Sequence, residues 1–444
     1  MKYQEKKIAV LGAGESGASA ALLLAGEGAS VTLLDSADPA TLRAKAEKLA
    51  EQGIALVAGE AADNDPTVYE LGIISPGIDP DTLLVRNFVK KKIEMIGELE
   101  LSYGLCACPV IAITGTNGKT TTTELVARML NACGVRTLAA GNIGPAFATV
   151  VPKSPELDIM TLEVSSFQLE EIRAFCPKVA VWLNLTPDHL DRYASMEEYR
   201  NAKLRVFENQ TAEDFAVINF RDDLPALKAK KITFSATAQG GDFELRGSVI
   251  YFRGAAVLKM EETGLRGVHN AENLMAAMGT GVALGLEFDR MTPPLCSYKP
   301  LPHRCELVGT VAGVDYVNDS KATNIDALEK ALRSEDRPVV LIAGGKDKGF
   351  EFDSITPLVA KKVRRAVLIG EMTERIATCW GSQVQCDRAG SLADAVSLAQ
   401  ANAHAGDVVL FSPGTSSFDM FKNYADRGNQ FRQLIQTLSS HENS

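Results

Sequence analysis

Residues 110 to 125 read VIAITGTNGKTTTTEL, and within them Gly115, Gly118, Lys119 and Thr120 have the types and spacing of a phosphate-binding loop. The common form of that loop would carry glycine where Ile113 stands, yet its physical parts are present. An apolar, β-branched run (Val110, Ile111, Ala112, Ile113) feeds a turn of Gly115, Asn117 and Gly118, and a helix is predicted to open there. The N–H groups of such a turn and of the helix start converge on one point and favour an anion. Lys119 adds a mobile positive charge for the outer phosphates, and Thr120 adds a hydroxyl able to ligate Mg²⁺. An ordinary strand-turn-helix corner needs a glycine but not Gly-Lys-Thr at the helix start.

Other stretches offer chemistry on weaker signals. In MTLEVSSFQLE, Glu163 ends an apolar strand, where its carboxylate is either solvated or placed to hold Mg²⁺, directly or through water. WLNLTPDHLDRY sets His189 between Asp188 and Asp191, a structural histidine or a ligand. The helical pattern EEYRNAKLRVFEN carries Lys203, by itself an ordinary surface lysine. Nearer the C-terminus, LPHRCE offers Arg304, NDSKATN offers Asp319, Lys321 and Thr323, and GGKDKGF offers Lys346 and Lys348. SPGTSSFDMFKNYADRG offers Ser417, Phe418 and Tyr424. These groups follow predicted strands, and ligands of open α/β sheets collect outside the carboxyl ends of the strands. An acidic chain that spends its lysines and arginines on such loops is suited to polyanions.

The elements that must position these residues form three α/β patterns. The strand KIAVLGAG, the helix GASAALLLAGEG and the strand ASVTLLDS make a βαβ unit. Gly12, Gly14 and Gly17 match G-x-G-x-x-G, and Asp35 ends the second strand, the dinucleotide fingerprint in its expected context, whose chemistry admits a nicotinamide or another nucleotide. A second pattern starts near residue 97 and runs through the hairpin-like GGDFELRGSVIYFRGAAVLKM to about residue 299. The proline-bearing YKPLPHR reads as a linker. Beyond it, GVDYVNDSKATN, RPVVLIAGGKDKG, RRAVLIG and DVVLFSPGTSSFD each put a buried-type strand before a polar loop. The expected domains are 1–96, 97–299 and 300–444: two Rossmann-like doubly wound sheets flanking a central P-loop ATPase α/β domain.

Composition narrows the function classes. A chain of 444 residues exceeds one ordinary core, and 46% hydrophobic with 23% charged residues fits a globular protein. The net charge of -10 argues against a nucleic-acid surface. No apolar run reaches the ~18 residues needed to span a bilayer. Gly12, Gly14 and Glu15 interrupt the short N-terminal apolar run, which is expected to be a first strand and turn and not a signal peptide, and eight scattered cysteines are expected as reduced thiols, so a cytoplasmic location is expected. A nicotinamide dehydrogenase built on the first pattern would leave GTNGKT unexplained. A GTPase-like switch would need the N-K-x-D string, which is absent.

GTNGKT, LEVSSFQLE, LPHRCE, NDSKATN and FKNYADRG, in this order, resemble the Mur ligases of bacterial cell-wall synthesis over essentially the whole chain. This family's loop is the shorter TGTNGKT form, so Ile113 is no defect; GTNGKT alone is shared with folylpolyglutamate synthetases. The D-N-P-R string of the diaminopimelate-adding sibling is absent. The resemblance implies an ATP- and Mg²⁺-dependent ligase that adds D-glutamate to UDP-N-acetylmuramoyl-L-alanine, acting as a monomer on small molecules, with no nucleic-acid or membrane partner. It implies that the first domain holds the UDP-sugar through Glu15, Ser16, Asp35, Ser36, Ser75 and Gly77, with Asn142 on the muramoyl part. ATP and metal would fall to Gly115, Thr116, Asn117, Gly118, Lys119, Thr120, Thr121, Glu163, His189 and Lys203, with Asn273, Arg304, Asp319 and Lys321 around the nucleotide. Thr323, Lys348, Ser417, Phe418 and Tyr424 would surround D-glutamate, with Lys346 an alternative to Lys348. Related ligases carry the lysine matching Lys203 as an N-carbamate formed with CO₂, which makes a metal ligand of a cation.

Overall fold

The computed structural model of the protein describes residues 2–186, 192–299, 302–335, 337–347 and 352–442. His189 and Lys348 lie outside the described residues. The chain divides into two compact units, Met1–Tyr298 and Lys299–Ser444.

The first unit holds two sheets. One is fully parallel, in the order Ala55–Ala58, Ser30–Asp35, Lys7–Leu11, Leu71–Ile74, Met95–Gly97, the arrangement of a Rossmann-like half. The other has nine strands around the neighbours Val179–Trp182, Val110–Thr114, Met160–Glu163 and Ala139–Gly141, all parallel. The predicted hairpin section forms its far edge, where Val249–Phe252 pairs antiparallel with both Phe243–Arg246 and Ala255–Lys259.

Val110–Thr114 is buried along its whole length, because helices cover both faces of a parallel sheet and each face needs an apolar residue. Its side chains alternate between two cores: Ile111 and Ile113 pack with helices Lys119–Ala132 and Val268–Ala283, while Val110 and Ala112 belong to the opposite core. That second core runs on into Ile8, Val10, Leu24, Leu33 and Ile73 of the first sheet. Each such fully buried aliphatic side chain contributes about 1.5–3 kcal/mol. The shared core is why the two sheets make one compact unit, with residue 97, the expected boundary, inside it.

The second unit is a six-stranded sheet in the order Glu306–Val311, Val314–Asn318, Val408–Phe411, Val339–Gly344, Val363–Ile369, Gln385–Arg388, parallel except for its first pair. Asn318 pairs with Phe411 at the carboxyl ends of their strands, so segments 319–323 and 412–418 leave the sheet side by side. The strands read from the sequence are thus in place.

Candidate active site

The phosphate loop follows Val110–Thr114, and Gly118 caps the helix Lys119–Ala132 with a φ of 82°, a left-handed conformation that glycine adopts without strain. A side chain at Gly118 would also meet the amide oxygen of Asn273 at 2.3 Å. Asn273 is buried and accepts from Thr122 Oγ1 at 3.2 Å, so it buttresses the loop. The adjacent strand Val179–Trp182 supplies the other support: Asn184 Oδ1 accepts from the Asn117 N–H at 2.8 Å, and Asn184 Nδ2 donates to the Asn117 carbonyl at 3.1 Å. Thr116 Oγ1 donates to the Thr186 carbonyl at 3.1 Å and accepts from the Thr186 N–H at 3.0 Å.

Two ammonium groups meet at this loop. Lys119 Nζ donates to the carbonyls of Gly115 at 3.0 Å and Thr116 at 2.8 Å. Lys203, buried on the helix Met196–Leu204, donates from Nζ to the same Gly115 oxygen at 3.0 Å and lies 4.7 Å from the Tyr199 ring centroid. The surface position its local pattern suggests is not observed, because Tyr199, Ala202 and Lys203 share the face of this helix turned inward.

Glu163 ends Met160–Glu163 and is buried. Its Oε2 accepts from Thr120 Oγ1 at 2.9 Å and its Oε1 from Asn142 Nδ2 at 2.8 Å. Register explains the meeting, since Ile113 and Gly141 both pair with Glu163 across parallel ladders. Thr120 and Glu163 together offer hard oxygen donors beside the phosphate loop, the donor type Mg²⁺ prefers. Thr121, next along the helix, is half-buried.

Asn142 also lines a cleft of about 470 Å³ in the first unit. Glu15, Ser16, Asp35, Ser75 and Gly77 line it too, so six of the seven residues expected around a UDP-sugar are together. Ser36 is not among the lining residues; its hydroxyl donates to Asp63 Oδ1 at 2.6 Å. Asp35 accepts from the N–H groups of Ala13 at 2.6 Å and Ala37 at 2.8 Å, which fixes the glycine turn against the strand end. Gly17 allows the turn to close: a Cβ there would lie 1.9 Å from the Gly12 carbonyl oxygen. Ser165, Phe167 and Gln168 form the facing wall, from a helix capped by Ser165.

In the second unit, Asp319 is buried, accepting from Ser412 Oγ at 2.7 Å and the Cys305 N–H at 3.2 Å. Burial pushes its carboxyl up to about 6, against those hydrogen bonds and the nearby Arg304. Lys321 Nζ lies 5.8 Å from the Tyr424 ring centroid. Thr323 follows on the same segment, half-buried, while Lys346 pairs by backbone with Ser416 at 2.9 Å. Ser417 is buried, Phe418 is 66% exposed and Tyr424 39% exposed, so two aromatic rings face solvent beside a buried hydroxyl. Sequence reasoning missed Arg427, which is fully buried and joins the two segments. It donates to the Ser320 carbonyl at 2.9 Å and the Thr415 carbonyl at 3.2 Å, and burial holds its guanidinium down at about 10. It stands in the quoted FKNYADRG, where nothing local marks it as buried; Asn184 is hidden in WLNLTPDHLDRY in the same way.

Three family profiles match the chain: a Mur ligase MurD-like N-terminal domain over residues 6–97, a Mur ligase middle domain over 113–281, and a Mur ligase glutamate ligase domain over 303–414. The UDP-N-acetylmuramoylalanine--D-glutamate ligase of Geotalea uraniireducens (strain Rf4) is 41% identical over 447 residues, 99% of each chain. The protein of that name from Geotalea daltonii is 40% identical over 448 residues, again 99% of each. Among solved structures, a UDP-N-acetylmuramate-alanine ligase from Thermotoga maritima has the same fold, with a TM-score of 0.59 at 18% identity over 98% of this chain and 100% of its own. The MurF ligase of that organism, in complex with ADP, has a TM-score of 0.56 at 16% identity, covering 85% of this chain and 97% of its own. On profiles that match most of its length and relatives alike from end to end, the chain belongs to the Mur ligase family.

Proposed function

We propose that this protein is the ligase that adds D-glutamate to UDP-N-acetylmuramoyl-L-alanine, using ATP, in the making of peptidoglycan precursors. The observation that carries the reading is Glu163, which bonds Thr120 of the phosphate loop and Asn142 of the cleft with its two oxygens. An acceptor carboxylate held at the Asn142 end of the cleft lies next to the place where a nucleotide's outer phosphates are gripped.

A carboxylate resists attack by an amine until one of its oxygens becomes a good leaving group. Transfer of the γ-phosphoryl of ATP to the alanyl carboxylate gives an acyl phosphate. The D-glutamate amine attacks its carbonyl carbon, the tetrahedral intermediate expels phosphate, and the amide remains with ADP and a released proton. Catalysis then needs positioning and charge stabilisation and no protein nucleophile. The loop N–H groups and Lys119 hold the phosphates. Mg²⁺ would sit with Thr120 and Glu163 and supply neutralisation of phosphate charge. Lys203 is read as an N-carbamate, whose oxygens suit a metal as an ammonium does not; His189 is assigned beside it from the family pattern. The cleft residues Glu15, Ser16, Asp35, Ser75, Gly77 and Asn142 take the UDP-sugar, with Ser36, next to Asp35, assigned from the family pattern. D-glutamate is assigned to Thr323, Ser417, Phe418 and Tyr424, with Lys348 or Lys346 on a carboxylate. Residues 1–96, 97–299 and 300–444 are accordingly the sugar-nucleotide, ATP and amino-acid parts of a cytoplasmic monomer. Among the described residues no helix is long and apolar enough to cross a membrane.

The test is phosphate release with ATP and Mg²⁺, with and without UDP-N-acetylmuramoyl-L-alanine, across D-glutamate, L-glutamate, meso-diaminopimelate and L-lysine. Release that needs both the acceptor and D-glutamate supports the reading; release driven by another amino acid reassigns the substrate.

A further inference from the structure

Among the ion pairs of the first unit that the mechanism does not use, that of Arg192 and Glu170 lies against residues of the cleft. Arg192 donates from Nη2 to Glu170 Oε2 at 2.8 Å, with side chains only 23% and 22% exposed. The Glu170 carboxylate also accepts from the Tyr193 hydroxyl. The Arg192 guanidinium carbon lies 4.3 Å from the centroid of the Phe167 ring. Its Nη1 lies 3.5 Å from both the Pro76 and Ile78 carbonyl oxygens, long contacts for a charged donor.

These partners belong to opposite walls of the cleft. Ser75, Pro76, Gly77 and Ile78 follow the strand Leu71–Ile74 of the first sheet, and Ser165, Phe167 and Gln168 follow the strand Met160–Glu163 of the second, yet Arg192 is not among the lining residues. It lines a separate, water-sized space of about 10 Å³ behind them, bordered by Ser75, Pro76, Ile78, Phe167 and Glu170. One planar cation therefore lies over a cleft ring, pairs with the helix that carries that ring, and reaches the carbonyls of the segment that follows Leu71–Ile74. A lysine could make the ion pair but not the flat stack.

We infer that Arg192, held by Glu170, is a positioning residue that fixes the spacing of the two cleft walls and so the seat of the nucleotide-sugar acceptor. The inference rests on the function proposed above. The phosphate loop has its own supports in Asn184, Thr186 and Asn273, so nucleotide binding is expected to change less than acceptor binding when this clamp is lost.

The test is a set of purified variants, Arg192→Ala, Arg192→Lys and Glu170→Gln. Each is assayed for the KM of UDP-N-acetylmuramoyl-L-alanine, the KM of D-glutamate, the affinity for ADP alone, and kcat. Loss of a charge-assisted clamp is expected to raise the acceptor KM about tenfold or more in Arg192→Ala. ADP affinity and D-glutamate KM are expected to stay within about twofold, with the lysine variant intermediate. Millimolar guanidinium is expected to restore part of the acceptor KM in the alanine variant. A plain folding role would move ADP affinity and every KM together, and that result overturns the inference, as does an unchanged acceptor KM. Should Arg192→Ala not fold, Arg192→Lys and Glu170→Gln decide by the same measurements. Wild-type protein without acceptor-dependent phosphate release would instead sink the proposed function.

Discussion

Thr120 Oγ1 donates to Glu163 Oε2 at 2.9 Å, tying the first turn of the phosphate-loop helix to the end of the neighbouring strand. If that carboxylate faces the metal, its charge matters more than its shape. Glu163→Gln keeps the shape and is expected to lower kcat about a hundredfold or more and to shift the Mg²⁺ requirement upward. Initial rates across a Mg²⁺ titration check this; wild-type rates with an unshifted titration would remove Glu163 from the site.

Asn184 secures both the N–H and the carbonyl of Asn117. Asn184→Ala leaves both loop groups without those bonds, at a cost of about 1–3 kcal/mol. The expected outcome is a rise in the KM for ATP of about tenfold, with the acceptor KM little changed. Nucleotide titrations of a variant whose melt is near wild type provide the check.

The carboxyl of Asp319, raised by burial from 3.8 to about 6, makes stability depend on pH. Its ionised form is less favoured in the fold than in the unfolded chain, so its contribution is greatest below about 4, falls as pH rises to about 6, and is flat above. The loss is on the order of 3 kcal/mol. Asp319→Asn removes this titration, so the variant should gain stability relative to wild type as pH rises from about 4 to 7. Urea unfolding of the second unit's signal at several pH values tests it; a wild-type-to-variant difference that is constant with pH contradicts it.

The readable parts were those with local causes. The glycine and Lys-Thr spacing of the loop, the apolar strand before it, and Glu163 at a strand end follow from short-range patterns. Asp35 was legible because the fingerprint fixes its distance from the glycines. Asn184 was not, because its partner Asn117 is 67 residues away and only strand order brings them together. Arg427 was hidden for another reason: arginine is normally a surface residue, and only the meeting of segments 319–323 and 412–418 brings together the carbonyls it binds. Lys203 was assigned through family resemblance, since its helix alone reads as solvated. The single core shared by the two sheets was not legible, because it is built from residues far apart in the chain, such as Ile8 and Val110.

For Lys203, buried against the phosphate loop, the carbamate reading makes a distinctive prediction. Lys203→Ala should be nearly inactive and should regain activity with millimolar short-chain carboxylic acids that supply the lost oxygen ligand. Rescue by alkylamines and not by carboxylic acids would mean that the lysine acts as a cation.

The central claim, D-glutamate ligation to the alanyl carboxylate, is tested most directly by the mass of the product. Purified protein with ATP, Mg²⁺, UDP-N-acetylmuramoyl-L-alanine and an equal mixture of D-glutamate, L-glutamate, meso-diaminopimelate and L-lysine should yield one new nucleotide-sugar. It should be heavier by one glutamyl residue, contain the D isomer alone, and form mole for mole with ADP. A product carrying another amino acid, or ADP formed with no new nucleotide-sugar, would contradict the account.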